Sequence, residues 1–318
     1  MTALKVNNLS KTFPLKRPLF GKAREGVRAV RPMSFEVATG ETLGVVGESG
    51  CGKSTFARML VGLLEPSTGQ IEIEGKALDN ADAAAFGKVI QYVFQDPISS
   101  LNPRKTIRQV VEAPLKRLHG MGKADRDARI AEIFDSVNLR QEFLTRYPHE
   151  FSGGQAQRIG IVRALAAAPR IIVLDEPVSA LDVSVQAQVL NLLARLKAEF
   201  NLTFLFISHD LAVVEAVSQR VVVLYFGSVV EIGKAENIFK APKHPYTKLL
   251  ADSAPVVGRP LTAPEQKDSE LPDPLNPPPG CAFAGRCPRA TDTCRRDEPT
   301  LTQMGDDQFA ACHHPIEG

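Results

Sequence analysis

The chain has 318 residues, with 38 Lys and Arg against 36 Asp and Glu, a formal charge of +2. That length allows one large domain and an appendage, and the near-balanced charge gives no strong overall polyanion-binding signal. No apolar run approaches the roughly 20 residues of a membrane helix. Met1–Val6 lacks the apolar core of a signal peptide. A cytoplasmic protein is expected, tied to a membrane only through partners.

Residues 3–13 alternate apolar and polar side chains (Leu4, Val6, Leu9) and reach Phe13. This predicts an edge strand ending in an aromatic ring. The ring is either an ordinary core Phe or a stacking surface for a nucleotide base, an interaction of about 1–3 kcal/mol. Residues 14–28 form a basic, proline-containing loop, read as a solvated insertion; contact with anionic headgroups is the other reading. Strand character resumes over 29–46 (Met33, Phe35, Val37), with a turn at Thr39-Gly40.

Gly47-Glu48-Ser49-Gly50-Cys51-Gly52-Lys53-Ser54 follows the apolar run Leu43–Val46 and opens a helix-like run from Thr55. This G-x-x-x-x-G-K-S pattern between a strand and a helix is a phosphate-binding loop. Glycines allow positive φ, and the backbone can then wrap an anion. Free N–H groups and the helix N-terminus supply partial positive charge. Lys53 adds a full charge for the outer phosphates, and the Ser54 hydroxyl can ligate Mg²⁺. Cys51 reads as a small filler.

Gln70–Gly75 and Lys88–Phe94 read as further strands, the second running into Gln95. A glutamine at a strand's C-terminal end stands where open α/β sheets place ligand groups, here Mg²⁺ or its water. Residues 106–147 are helix-rich, with apolar spacings of three and four. Phe151-Ser152-Gly153-Gly154-Gln155 then opens a helix over 156–168, with Ser152 as its cap. This is a second anion-type site, about a hundred residues after the first.

Ile171–Leu174 is a run of β-formers delivering Asp175 and Glu176 to a sheet edge. Asp175 suits a Mg²⁺ shell, and Glu176 suits polarisation of an attacking water. Ser179–Asp182 precedes a long helix, 183–200, and a strand over 202–207 ends at His209. His209 can hydrogen-bond a γ-phosphate, though a histidine at such an edge, taken alone, is more often structural. Residues 220–231 read as a hairpin, and 241–279 as an extended proline-rich linker. Cys281, Cys287, Cys294 and Cys312 follow, with five, six and seventeen residues between them. In a reducing compartment such a cluster suggests a metal, not disulfides. An iron–sulfur cluster, zinc and unligated thiols all remain open.

With these motifs in order, residues 3–240 resemble the nucleotide-binding subunits of ABC transporters. The resemblance implies an α/β fold: a P-loop domain with a RecA-like core, an antiparallel β subdomain and a helical subdomain at about 100–165. A cysteine-containing extension spans 241–318. It implies that ATP is held by Phe13, by Gly47, Glu48, Ser49, Gly50, Cys51, Gly52, Lys53, Ser54 and Thr55, by Gln95, and by Ser152, Gly153, Gly154, Gln155 and Asp182. Mg²⁺ falls to Ser54, Gln95 and Asp175, and catalysis to Glu176 and His209. Two such cassettes pair head to tail, with ATP between the phosphate loop of one and the signature of the other. The signature here has Phe151 for the usual Leu, and Ala156 where Arg is frequent, a change expected at a surface contact.

Asp96-Pro97, Ser99–Arg104 and Lys243–Leu250 are similar to the oligopeptide/dipeptide importer ATPases, closest to the F-type member of their pair. That implies import of di- or oligopeptides, with a second, unlike D-type ATPase, two transmembrane permease subunits and an extracytoplasmic binding protein. It implies a peripheral place on the cytoplasmic face of the inner membrane. It also links the four cysteines to a [4Fe–4S] centre, with zinc as the alternative. A soluble ABC ATPase acting on nucleic acid or the ribosome is the competing function.

Overall fold

The computed structural model describes residues 1–15, 26–78, 83–253 and 271–317. The basic 14–28 loop thus lies largely outside the described residues, as does much of the proline-rich segment. The chain opens with β1 (Thr2–Phe13), β2 (Val27–Ala38) and β3 (Thr42–Val46), then α1 (Lys53–Leu60). It continues through β4 (Thr68–Ile73), β5 (Lys76–Ala77), α2 (Ala83–Val89) and β6 (Ile90–Val93). Helices α3 (Ile107–His119), α4 (Lys123–Ser136) and α5 (Gly153–Leu165) follow, then β7 (Ile171–Asp175), α6 (Val183–Phe200), β8 (Thr203–Ile207) and α7 (Leu211–Val217). Last come β9 (Arg220–Tyr225), β10 (Ser228–Lys234), α8 (Ala235–Lys240), α9 (Pro245–Ser253), α10 (Asp292–Arg296), β11 (Thr302–Gly305) and β12 (Gln308–Ala310).

The large sheet runs β11-β12-β10-β9-β3-β8-β7-β6. From β9 to β6 its neighbours are parallel. Strands β3, β7 and β8 are buried along their whole length. A parallel sheet covered on both faces requires such unbroken apolar runs. Their C-terminal ends bring the phosphate loop, Asp175-Glu176 and Ser208-His209 to one edge.

The second sheet is antiparallel, ordered β2-β1-β4-β5. Leu4, Val6 and Leu9 point with Met33, Phe35 and Val37 into a core shared with Phe56 and Met59 of α1. The sequence predicts β1 as an edge strand; instead it lies between β2 and β4 and is bonded on both sides. Side-chain alternation reports which face is buried, whereas pairing of the two edges depends on distant strands.

Helices α3 to α5 lie within residues 107–165. Thr106 and Gln109 cap α3 reciprocally, the Gln109 side chain accepting from the Thr106 N–H at 3.0 Å. Two further expectations change. The strand expected at 88–94 is only Ile90–Val93, because α2 takes residues up to Val89. The linker expected to be extended from 241 contains α9, begun by Pro245 at a first-turn position that proline tolerates. Tyr246 of α9 is wholly buried. No described helix is long and apolar enough to cross a membrane.

Candidate functional site

The phosphate loop joins β3 to α1 with its backbone pressed between two neighbours. A Cβ on Gly47 would stand 2.2 Å from the Leu224 carbonyl oxygen, and one on Gly52 (φ 103°) 2.3 Å from that of Ala29. Only glycine lets the loop lie this close. The N-terminus of α1 has no side-chain cap, so its amides remain available to an anion. The buried Lys53 ammonium donates to the carbonyls of Gly47 at 2.6 Å and Glu48 at 3.0 Å, which curls the loop around a cationic centre. Cys51 is buried in the loop, and burial pushes its thiol pKa up, as suits a filler.

Below the loop, the Ser54 hydroxyl lies 3.5 Å from Asp175 Oδ1. Tyr92 from β6 donates its hydroxyl to Asp175 Oδ2. Burial first, and then the adjoining carboxylate, push the Tyr92 phenol far up, so it stays a donor. Two hard oxygens beneath a phosphate cradle form a donor set that suits Mg²⁺.

Glu176 follows β7 with φ of 47°, in the left-handed region. Its N–H bonds the Ile207 carbonyl at 2.9 Å, pinning the turn to β8. The turn sets the carboxylate between Gln95 Nε2 at 3.0 Å and His209 Nδ1 at 3.1 Å. Gln95, read from sequence as a metal group, thus meets Glu176 in this structure. Asp210 caps α7 through the N–H groups of Ala212 and Val213, which fixes the segment carrying His209. A carboxylate and an imidazole so arranged can accept a proton from water and hold an anion.

The signature residues form a different site. Ser152 and Gln155 cap α5 reciprocally. They line an open cleft of about 610 Å³ with Gly153, Gly154 and Asp182. Val185 packs on Gly154, where a Cβ would come within 2.6 Å of it. Phe151 meets the Phe143 ring edge-on at 5.4 Å, so the aromatic in place of Leu serves as an anchor. Ala156, expected at a surface contact, is instead buried. No residue of the phosphate loop lines this cleft. Phe13 keeps 40% of its surface exposed at the end of β1, with Lys11 Nζ 5.4 Å from its ring centre. Thr55 lies in the first turn of α1.

Cys281, Cys287, Cys294 and Cys312 line one small cavity together with His244. Chain separations of up to 31 positions (281 to 312) are closed by loops, including a Cys281 N–H bond to the Cys294 carbonyl at 2.8 Å. Burial pushes the thiol pKa of Cys281 up to about 11, with smaller contributions from the other cysteines. The open space is about 10 Å³, roughly room for one water. No group of three or more His, Cys, Asp or Glu among the described residues is disposed to hold a metal ion.

Three contacts to these sites escape sequence patterns. They are Tyr92 on Asp175, the Tyr246 hydroxyl on the Glu48 N–H at 2.9 Å, and Arg286 on the Glu48 carboxylate at 2.8 and 2.9 Å. Their partners lie 83, 198 and 238 positions away.

Comparison with known proteins places these features. The ABC transporter family profile matches residues 30–179, and that of the oligopeptide/dipeptide transporter C-terminal region matches 230–294. The oligopeptide transport ATP-binding protein AppF of Bacillus subtilis is 45% identical, covering 98% of this chain and 97% of its own. The dipeptide transport ATP-binding protein DppF of Haemophilus influenzae is 47% identical over 96% and 94%. A bacterial ABC transporter cassette solved as a dimer, MJ0796, superposes with a TM-score of 0.65 at 30% identity, covering 73% of this chain and 98% of that one. The same cassette was solved as a dimer with ADP and Pi, at a TM-score of 0.64 and 29% identity, over 73% and 98%. On near-full-length similarity, supported by the shared fold, the chain belongs to the ATP-binding proteins of ABC transporters, in their oligopeptide/dipeptide branch.

Proposed function

We propose that this protein hydrolyses ATP to drive import of di- or oligopeptides. The observation that carries this is Glu176, held between Gln95 and His209 beside the Ser54–Asp175 pair. Lys53 and the loop amides bind the β- and γ-phosphates. Ser54 and Asp175 hold Mg²⁺, which when bound offsets the phosphate charge. Glu176 takes the proton of the attacking water, and His209 contacts the γ-phosphate. Phe13 stacks on the base. Gln95 ties Glu176 to the segment from Asp96 onward, which faces the membrane subunits.

Ser152, Gly153, Gly154, Gln155 and Asp182 act on the ATP of a second cassette. Their cleft excludes the chain's own phosphate loop, and the similar cassette MJ0796 was solved as a dimer. The rest of the assembly is a second, unlike ATPase, two permease subunits and an extracytoplasmic peptide-binding protein, with this chain peripheral on the cytoplasmic face. Residues 1–240 form the cassette and 241–318 the extension. We keep a [4Fe–4S] cluster of structural role as our reading of the four cysteines, although the described arrangement has no group disposed to hold a metal. Iron and acid-labile sulfide in the purified protein support that assignment, and zinc without iron replaces it. A nucleic-acid role draws no support from a balanced charge or from relatives named for transport.

The test is reconstitution with the permease subunits and binding protein of a peptide importer. Peptide added on the binding-protein side should raise ATP turnover and be taken up. Turnover indifferent to every peptide, with no uptake, would reject the substrate class.

A further inference from the structure

Glu48 is the one carboxylate inside the phosphate loop. A carboxylate there repels a triphosphate, so its surroundings matter for binding. Its backbone carbonyl accepts from Lys53, its N–H donates to Tyr246, and its carboxylate accepts both arms of Arg286. Two of these three contacts come from beyond residue 240, from the cysteine-containing extension.

Arg286 is itself held. Its guanidinium lies 5.9 Å from the Tyr225 ring centre and 5.7 Å from that of Phe283. Those rings pack at 5.3 Å from one another, and both meet Tyr246, at 4.5 and 5.4 Å. The Arg286 N–H bonds the Phe283 carbonyl at 3.0 Å, closing the turn that leads into Cys287. The side chain keeps 14% of its surface exposed, against 29% for Glu48. Such a pair is partly shielded from solvent, and the planar fork of Arg matches the carboxylate in a way that Lys does not.

We infer that Arg286 is a positioning residue of the nucleotide site: it neutralises and orients Glu48, so that the phosphate loop accepts a triphosphate. The inference rests on reading the loop as the ATP site. It gives the extension a part in nucleotide affinity, through a guanidinium one residue from a cysteine of the four-thiol cavity. Without Arg286, the Glu48 charge stands free beside the phosphates and the loop loses a two-point anchor.

The experiment measures binding of TNP-ATP to the full chain and steady-state ATP turnover of the assembled complex. The variants are Arg286→Ala, Arg286→Lys, Glu48→Gln and the double variant Glu48→Gln/Arg286→Ala. Arg286→Ala should weaken TNP-ATP binding and raise the KM for ATP roughly tenfold, the scale of one lost charge-assisted contact. Its kcat at saturating ATP should stay within about twofold, since the loss is of ground-state binding. Arg286→Lys, which keeps the charge without the fork, should fall between. Removing the Glu48 charge as well should restore much of the affinity, so the double variant binds more tightly than Arg286→Ala. A brace with no electrostatic part would give a double variant at least as weak as Arg286→Ala, which overturns the inference; so does a loss confined to kcat. Lys53→Ala serves as the control for the underlying reading. If the unaltered chain binds no TNP-ATP, or Lys53→Ala binds it equally well, the ATP-site reading fails and takes this inference with it.

Discussion

Tyr92→Phe isolates one hydrogen bond. The hydroxyl reaches Asp175 Oδ2 and leaves Oδ1 facing Ser54 at 3.5 Å. Asp175 is 5% exposed, so water cannot readily replace the lost donor. Phe keeps the ring and its edge-on contact with Phe94 at 4.5 Å. A hydrogen bond to a charged group contributes about 1.5–3 kcal/mol, or roughly 10- to 150-fold in an equilibrium constant. Groups that orient a metal ligand typically cost 10–100-fold in metal affinity or activity when removed, a similar range. The assay is ATP turnover titrated with Mg²⁺ at fixed, saturating ATP. The half-activating Mg²⁺ concentration should rise by roughly 10- to 100-fold, with most turnover recovered at high Mg²⁺. Metal-free TNP-ATP binding should stay unchanged. An unaltered Mg²⁺ midpoint would refute the assignment of Tyr92 as the group that orients Asp175.

Other substitutions test the remaining parts. Glu176→Gln should lower turnover by about 10²–10⁴ while nucleotide binding survives, the range for a lost general base; rapid-quench turnover on the assembled complex checks it. Gly47→Ala should abolish TNP-ATP binding and lower stability by about 1–3 kcal/mol, since the new methyl meets the Leu224 backbone and not a side chain that can swing away; urea unfolding reads the second effect. Phe283→Ala should cost about 3–5 kcal/mol in the same assay, because the ring is 1% exposed between Tyr225 and Tyr246.

The legible parts of this chain are contiguous. Gly47–Ser54, Phe151–Gln155 and Asp175-Glu176 each carry their chemistry within a few residues, and the apolar runs beside them fix the strands and helices that present them. Interior placement of β1 was hidden because its second edge is closed by β4, 69 positions on in the Leu4–Ile73 pairing. Helix α9 was hidden by prolines on either side, although Pro245 is the residue that starts it. The bond from Gln95 to Glu176 and the meeting of the four cysteines depend on loops whose course no periodicity records. Tyr92 shows the limit most plainly. Its alternation marks it as buried, but a buried tyrosine needs a partner for its hydroxyl, and only the sheet order β7-β6 places Asp175 there.

Glu231 of β10 has no exposed surface, and burial raises its pKa. Its carboxylate accepts from the N–H groups of Lys243 and His244, each at 2.8 Å, and from Gln308 Nε2 at 2.7 Å. All three donors come after residue 240, and β12 hydrogen-bonds along β10 itself. A truncated protein ending at Lys240 would therefore carry an unsatisfied acid and a bare β10 margin, both covered in the intact protein. Such a fragment should be recovered from inclusion bodies. In a thermal unfolding scan the two segments should melt in one transition, and a minimal cassette would first need Glu231 replaced.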